Sequence, residues 1–290
     1  MEFLDGFFGV VKWKKIGVNN LYKYLPPDRV SYLKDGLLRF TQPDDLNDPF
    51  ELLPTITRSQ FLIVRETLLR EELERALPVA GGRNERRLER KRREKVYAAS
   101  MRRTELDFSD FVGFFFNGAK AKINSSIGIL SLSRRWNSSL MWSHYTNSHA
   151  GFCVGFNRDH DFFKTKGEVG DPERSLHEVE YSKQRVAVSH VRGQPIDLKV
   201  IWTKSQDWEY EQEERVVALL SGADKRISMS PYDVCLFNVP HEAISELVLG
   251  LRAQAALVEE ATDLGKRLGV QVFQSTLSEN SFDVTRKRLA

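Results

Sequence analysis

The sequence predicts an α+β fold with a helical block inserted among its strands. Three observations carry that expectation. Short apolar runs rich in β-branched and aromatic residues recur on both sides of the block, over 127–133, 151–156 and 214–220, and such runs suit buried or half-buried strands. From about residue 58 to residue 123 the chain turns helical in character. Prolines and Asx residues punctuate the strand-like parts, as in Pro26-Pro27 and Asn47-Asp48-Pro49, and these residues fix local turns.

With 290 residues, 41% of them apolar, and 18 Phe, the chain can bury a substantial core. A mean hydropathy of −0.41 suits a soluble, cytoplasmic protein, and no run is long enough to span a bilayer. A net charge of +3 gives no strong overall field toward nucleic acid or membrane. The two cysteines, Cys153 and Cys235, lie inside apolar runs and read as reduced, buried thiols. No Cys/His spacing has the pattern of a zinc site.

Two units are expected. Over 1–18, Phe3, Leu4, Phe7, Phe8 and Val11 share one helical face. That makes an amphipathic helix, docked on the domain or presented to a partner or a membrane surface. Lys12, Lys14 and Lys15 follow the apolar run, the reverse of a secretory signal. Residues 19–290 form a single α+β domain, opening with a strand over 21–25 closed by Pro26-Pro27. Asp28 caps a short helix through Lys34, Gly36 ends it, and 37–41 is the next strand. The insertion, about 58–123, holds a helix opening at Ser59, a break over 78–82, and a basic helix over 84–103. A third helix over 108–122 carries Phe111, Phe114 and Phe115 on one face. Strands resume over 127–133, 151–156, 178–181, 214–220, 235–239, 246–249 and 270–274. A helix begins at Asn137 or Ser138, and another over 253–268 separates the last two strands.

Four constellations can carry chemistry. In Trp208-Glu209-Tyr210-Glu211-Gln212-Glu213-Glu214-Arg215 carboxylates run straight into an apolar strand. A strand starting at Glu211 places Glu211, Glu213 and Arg215 on one face. Charges at such a boundary must be paired or used, so a structural ion pair and a catalytic role both remain open. Ile129, Ser131 and Ser133 alternate along one face of another strand, where hydroxyls can meet a ligand's ribose or phosphate or simply meet water. Trp142, His144 and Tyr145 lie on a short helix, followed by a strand whose Gly151, Cys153 and Gly155 leave one face almost bare. Asn47 sits in a turn, holding its shape or touching a ligand. The basic helix over 83–103 reads as a solvated, ion-paired helix or as a surface for phosphates or a protein.

In their order along the chain these motifs resemble a bacterial family catalogued as domain of unknown function 2971. The motifs are Leu21-Tyr22-Lys23-Tyr24, Gly36–Phe40, Asn47–Phe50, Ser131-Leu132-Ser133, Trp142-Ser143-His144-Tyr145, Gly151-Phe152-Cys153 and Tyr210-Glu211-x-Glu213-x-Arg215. The resemblance runs over about 21–285. The succession of a Tyr-rich strand, a strand ending in Ser-x-Ser and a Glu-x-Glu before an apolar strand is also similar to the ADP-ribosyltransferase fold. That similarity implies a split, mostly antiparallel sheet whose cleft holds NAD as substrate. By resemblance Tyr22 or Lys23 anchors NAD, Ser131 and Ser133 support the nicotinamide ribose, and His144 and Tyr145 line the cleft, with Trp142 and Asn47 among the binding residues. Glu213 then binds the ribose and stabilises the oxocarbenium-like transition state, and Glu211 orients a macromolecular acceptor, protein or nucleic acid. The family's company suggests a toxin-like effector in phage defence. Two rivals stay open: a nucleotide- or nucleic-acid-binding sensor without turnover, and a metal-dependent nuclease or hydrolase using His144 with Glu211 and Glu213.

Overall fold

The computed structural model describes residues 19–75, 82–102, 108, 120–165, 174–187 and 199–290. The expected N-terminal helix over 1–18, and Phe111, Phe114 and Phe115 of the insertion, lie outside the described residues. In chain order the strands and helices that matter below begin with β1 (Asn20–Leu25), α1 (Tyr32–Asp35) and β2 (Leu37–Arg39). Helices α2 (Arg58–Arg75) and α3 (Arg83–Arg102) then precede β3 (Ile127–Ser133), α4 (Ser139–Tyr145) and β4 (Phe152–Asn157). Short strands β5 (Lys164–Thr165), β6 (Arg174–Ser175), β7 (His177–Glu178), β8 (Glu180–Ser182) and β9 (Thr203–Ser205) lead to β10 (Glu213–Leu219). The chain ends with β11 (Lys225–Ile227), β12 (Val234–Asn238), β13 (Ile244–Leu249), β14 (Gln271–Leu277) and β15 (Val284–Arg288).

Eight strands form one sheet in the order β15-β14-β13-β4-β1-β3-β10-β7, antiparallel except for β13 beside β14. A parallel pair needs a crossover, and the helix Ala255–Leu268 supplies it. That helix buries Leu257, Ala261 and Leu264 on one stripe, each leucine worth about 2 kcal/mol of burial. The expected α+β class and the apolar runs are therefore present as helices around a mostly antiparallel sheet.

Period-two alternation gives the sheet two different faces. One face carries Leu21, Leu25, Leu130, Leu132, Phe152, Val154, Phe156, Val216 and Ala218 into the main core. The three-stranded sheet β11-β12-β2 contributes Leu38 and Phe237 to the same core. The opposite face presents Tyr22, Tyr24, Ser131, Ser133, Glu213 and Arg215, between a small aromatic cluster around Trp142 and an aliphatic one around Ile129 and Val217. Cys153 and Cys235 are both free thiols in buried positions.

Three local expectations differ from the structure. Asp28 does not cap a helix through Lys34: Pro27–Arg29 is one 3-10 turn and α1 starts later, without a side-chain cap. Pro26 and Pro27 constrain the chain there. Gly36 does close α1, in the left-handed region at φ 68°, where glycine is unstrained. The expected strand over 178–181 is two short strands on different sheets, β7 beside β10 and β8 parallel to β9. The strand at the carboxylate run begins at Glu213 rather than Glu211, because 206–211 closes a 3-10 turn and Gln212 takes φ 46°.

Candidate functional site

The main sheet splits beside β1. This strand pairs with β4 at six positions, and β3 pairs with β10 at seven, yet β1 and β3 meet only at Tyr22 and Ser133. Further along β3, Thr41 takes over as the neighbour and exchanges both backbone hydrogen bonds with Ile129, at 2.9 Å each. Between these two contacts the Ser131 carbonyl lacks a strand partner. Lys23 fills the gap, its Nζ donating to that oxygen at 3.1 Å. A buried carbonyl left unpaired costs about 1–3 kcal/mol, so Lys23 has a structural task.

The split opens into a cleft of about 200 Å³. Tyr22, Lys23, Asn47, Ser131, Ser133, Tyr145, Glu211 and Glu213 all line it. The first of these come from β1 and β3, Tyr145 from the end of α4, and the glutamates from the turn into β10. Ser133 pairs with Tyr22 on one side and with Glu213 on the other, so three neighbouring strands present these residues side by side.

The carboxylates form a buried ion network. Arg215, fully buried, bonds Glu213 at 2.7 Å, Glu51 at 2.6 Å and the Ile201 carbonyl at 2.8 Å. Lys204, from β9, reaches Glu211 at 2.7 Å, Glu51 at 3.1 Å and Glu213 at 3.3 Å, with its ammonium 4.8 Å from the Trp208 ring centre. Burial alone would push the Glu213 carboxyl up, but Arg215 and Lys204, helped by the Ser131 hydroxyl, hold it down at about 2. Glu51 behaves oppositely: burial outweighs the same two cations and raises it. Burial also lowers the Lys23 ammonium, against the pull of Glu213 and Glu211. The Lys204 ammonium is held up because the three glutamates overcome its burial.

Hydrogen bonds fix the remaining members. Tyr145 donates to Glu211 and accepts from Asn47; burial, followed by the Glu211 charge, raises its phenol. The Ser133 hydroxyl is committed to the Glu211 backbone carbonyl and accepts from Arg135 N–H at 3.0 Å, so it shapes the turn. The Tyr181 hydroxyl accepts the Glu213 N–H at 2.8 Å. On the far side, Tyr22 donates to Glu246 at 2.8 Å, and Arg286 holds that carboxylate at 2.6 Å. A Cβ on Gly155 would stand 2.8 Å from Glu246 Cγ and 3.0 Å from Tyr22 Cε1. The bare face expected of β4 therefore serves this close approach.

Two expected residues fall outside the cleft. Trp142 is fully buried, its ring edge-on to Tyr24 at 5.2 Å and its indole N–H donated to the Trp136 carbonyl at 2.8 Å. Its helical spacing from Tyr145 was an accident of a short helix in which one side chain enters the core. His144 lines a neighbouring groove of about 640 Å³, not the wall that Glu211 and Glu213 share. That groove shares Lys23, Tyr24, Thr41 and Tyr145 with the cleft and carries Arg29, Arg39 and Lys225. Among the described residues no group of three or more His, Cys, Asp or Glu is placed to hold a metal ion. No described helix is long and apolar enough to cross a membrane.

Sequence reasoning missed Glu51 and Lys204. Glu51 follows the Asn47-Asp48-Pro49-Phe50 turn, where the Asp48 carbonyl accepts its N–H at 3.1 Å; a carboxylate directly after a turn that enters the cleft was the one available signal. Lys204 lies in a polar strand of three residues, and nothing local marks it.

Residues 141–216 match the model of a family described as "Protein of unknown function (DUF2971)". No curated protein and no solved structure matches the chain.

Proposed function

We propose that this chain, with its DUF2971 segment at residues 141–216, binds NAD at the split sheet and cleaves its nicotinamide–ribose bond, passing ADP-ribose to water or to a macromolecular acceptor. The observation that carries this reading is the lateral register Tyr22–Ser133–Glu213 across three strands at the mouth of one cleft.

The chemistry asks for little else. When the C–N bond breaks, its electron pair leaves with nicotinamide, whose ring charge is thereby neutralised, and positive charge develops on the ribose. A carboxylate already ionised and already oriented stabilises that charge without reorganising. Glu213 meets both conditions: it is held near 2, and both of its oxygens are fixed by Arg215. At the deep end Glu51, Glu211 and Glu213 face Arg215 and Lys204, with Lys23 beside them, and the ionised Glu213 among them suits a cationic nicotinamide. The adjoining groove carries Arg29, Lys225 and the Asp45-paired Arg39 against Asp35, and its cations suit a diphosphate. Lys204 competes with the ribose cation for Glu213, and its nearer bonds to Glu211 and Glu51 let it yield that carboxylate.

In this reading Glu213 faces the reacting carbon, Ser131 steadies it, and Glu211 with Tyr145 lines the acceptor side. The test is nicotinamide release from NAD by the full chain. Glu213→Gln and Ser131→Ala, each checked for an intact melting transition, should lower the rate by at least a hundredfold and about tenfold. Release undiminished in a folded Glu213→Gln protein would refute the assignment, and so would the absence of release by the wild type with several acceptors.

A further inference from the structure

Helix α3 is unused by this chemistry, and it is where the chain's positive charge is concentrated. Its 20 residues hold seven arginines and two lysines against three glutamates. Because the whole chain has a formal net charge of only +3, everything outside α3 is net acidic.

The helix has an inner and an outer side. Glu89, Arg93 and Tyr97, spaced i, i+4, i+8, are half-buried, whereas 83–88, 90–92 and 94–96 are exposed. This inner stripe faces α2: the Tyr97 hydroxyl lies beside Arg70, and Arg93 pairs with Glu89 at 2.9 Å. Arg90 pairs with Glu94 at 3.0 Å. At 100° per residue, Arg87, Lys91 and Lys95 stand opposite the inner stripe, with Leu88 and Arg92 to one flank. None of Arg87, Lys91, Arg92 or Lys95 has a carboxylate partner among the described residues. Glu94 is exposed near Arg87 on the cylinder, and Arg90 takes its carboxylate. The pairs Arg93–Glu89 and Arg90–Glu94 leave four cations on the exposed side without a carboxylate partner among the described residues.

We propose that the outer face of α3 binds double-stranded nucleic acid through its phosphates. A helix with side chains is about 10–12 Å across, and the major groove of a DNA duplex is about 12 Å wide. The Arg87–Lys91–Lys95 stripe rises about 6 Å per step, so its charges can follow a backbone rather than converge on one anion. Arg92 to the side reaches phosphates across the groove. An anionic lipid surface is the poorer fit, since the exposed apolar side chains described on the helix are Leu88 and Val96, which are isolated from one another, and a membrane-lying helix needs a continuous apolar side.

The experiment uses the full chain and fluorescently labelled 20-base-pair duplexes of arbitrary sequence, one DNA and one RNA, read by anisotropy from 50 to 200 mM KCl. Four phosphate contacts give a log–log salt slope of about −3 to −4 for a DNA duplex, a loss of roughly a hundredfold in affinity over that range. A variant with Arg87, Lys91, Arg92 and Lys95 all changed to Gln should bind at least tenfold more weakly, with an unchanged melting temperature because all four side chains are exposed. A salt slope of that size on either duplex, reduced in the variant, supports the proposal. It is overturned by no duplex binding at 50 mM salt or by a variant that binds as the wild type does. Retention by phosphatidylserine vesicles, lost in the variant while duplexes stay unbound, overturns it in favour of a membrane surface. Nicotinamide release is read separately on the same variant, so this proposal and the NAD reading fail independently.

Discussion

Replacing Lys204 with Met isolates the feature on which the cleft's electrostatics depend. Its ammonium lies within 3.3 Å of an oxygen from each of Glu51, Glu211 and Glu213, and its side chain is 3% exposed. Methionine keeps most of the volume, so the change removes charge with little loss of packing. Glu51 and Glu213 would then keep Arg215, while Glu211 would lose its ion pair and keep the hydrogen bond from Tyr145. Removing one partner of a buried ion network costs about 3–5 kcal/mol. At roughly 2 °C per kcal/mol for a chain of this size, the melting temperature should fall by about 6–10 °C. The deficit should also depend on pH. Glu51 already sits above its ordinary carboxylate range because of burial, and losing Lys204 raises it further. A group whose folded value is raised contributes stability fully below its unfolded value and loses it as pH rises through the folded value. The Lys204→Met deficit should therefore be smallest near pH 5 and grow toward pH 8. Urea denaturation at pH 5, 6.5 and 8 measures it. A deficit below 1 kcal/mol at pH 8, or one that does not change with pH, would show that the three carboxylates are not held by Lys204.

Other outcomes follow from single contacts. Glu213, held down at about 2, stabilises the fold above its unfolded value of about 4.5 and loses that contribution as pH falls toward 2; acid titration of Glu213→Gln should show a flatter decline than wild type across that window. Tyr145→Phe removes one bond to Glu211 and one from Asn47 and should cost about 1–2 kcal/mol by denaturant melts. Gly155→Ala places a Cβ 2.8 Å from Glu246 Cγ; displacement of Tyr22 should cost about 1–3 kcal/mol and weaken NAD binding measured by calorimetry. Trp142→Ala should cost about 3–5 kcal/mol, yet Trp142→Phe, once folded, should bind NAD as wild type does, because the indole packs on Tyr24 behind the cleft.

Much of the sheet was legible because its strands are buried over most of their length and apolar on the core face. Ile127–Ser133 and Phe152–Asn157 bury nearly every position, and such runs have few other places to go. The hydroxyl and carboxylate positions were legible for the same reason: polar residues inside those runs need partners. Long-range partnership was not. Lys204 meets Glu51 across 153 positions of sequence, and no local periodicity records such a contact. The turn through Gln212 was also hidden, since a left-handed residue other than glycine or asparagine gives no signal in composition. It moved Glu211 off the strand, yet the 3-10 turn still aimed its carboxylate at the same lysine. Trp142 misled because a short helix exposes and buries residues three apart.

The central claim is that Glu213, at the split between β1 and β3, faces the ribose of a bound NAD. A crystal structure of the Glu213→Gln protein soaked with NAD tests it most directly. The account predicts the nicotinamide ribose between Tyr22 and Ser131, within about 3 Å of the residue-213 amide, and the diphosphate toward Arg29 and Lys225. An empty cleft at saturating NAD, or NAD bound elsewhere on the chain, would contradict it.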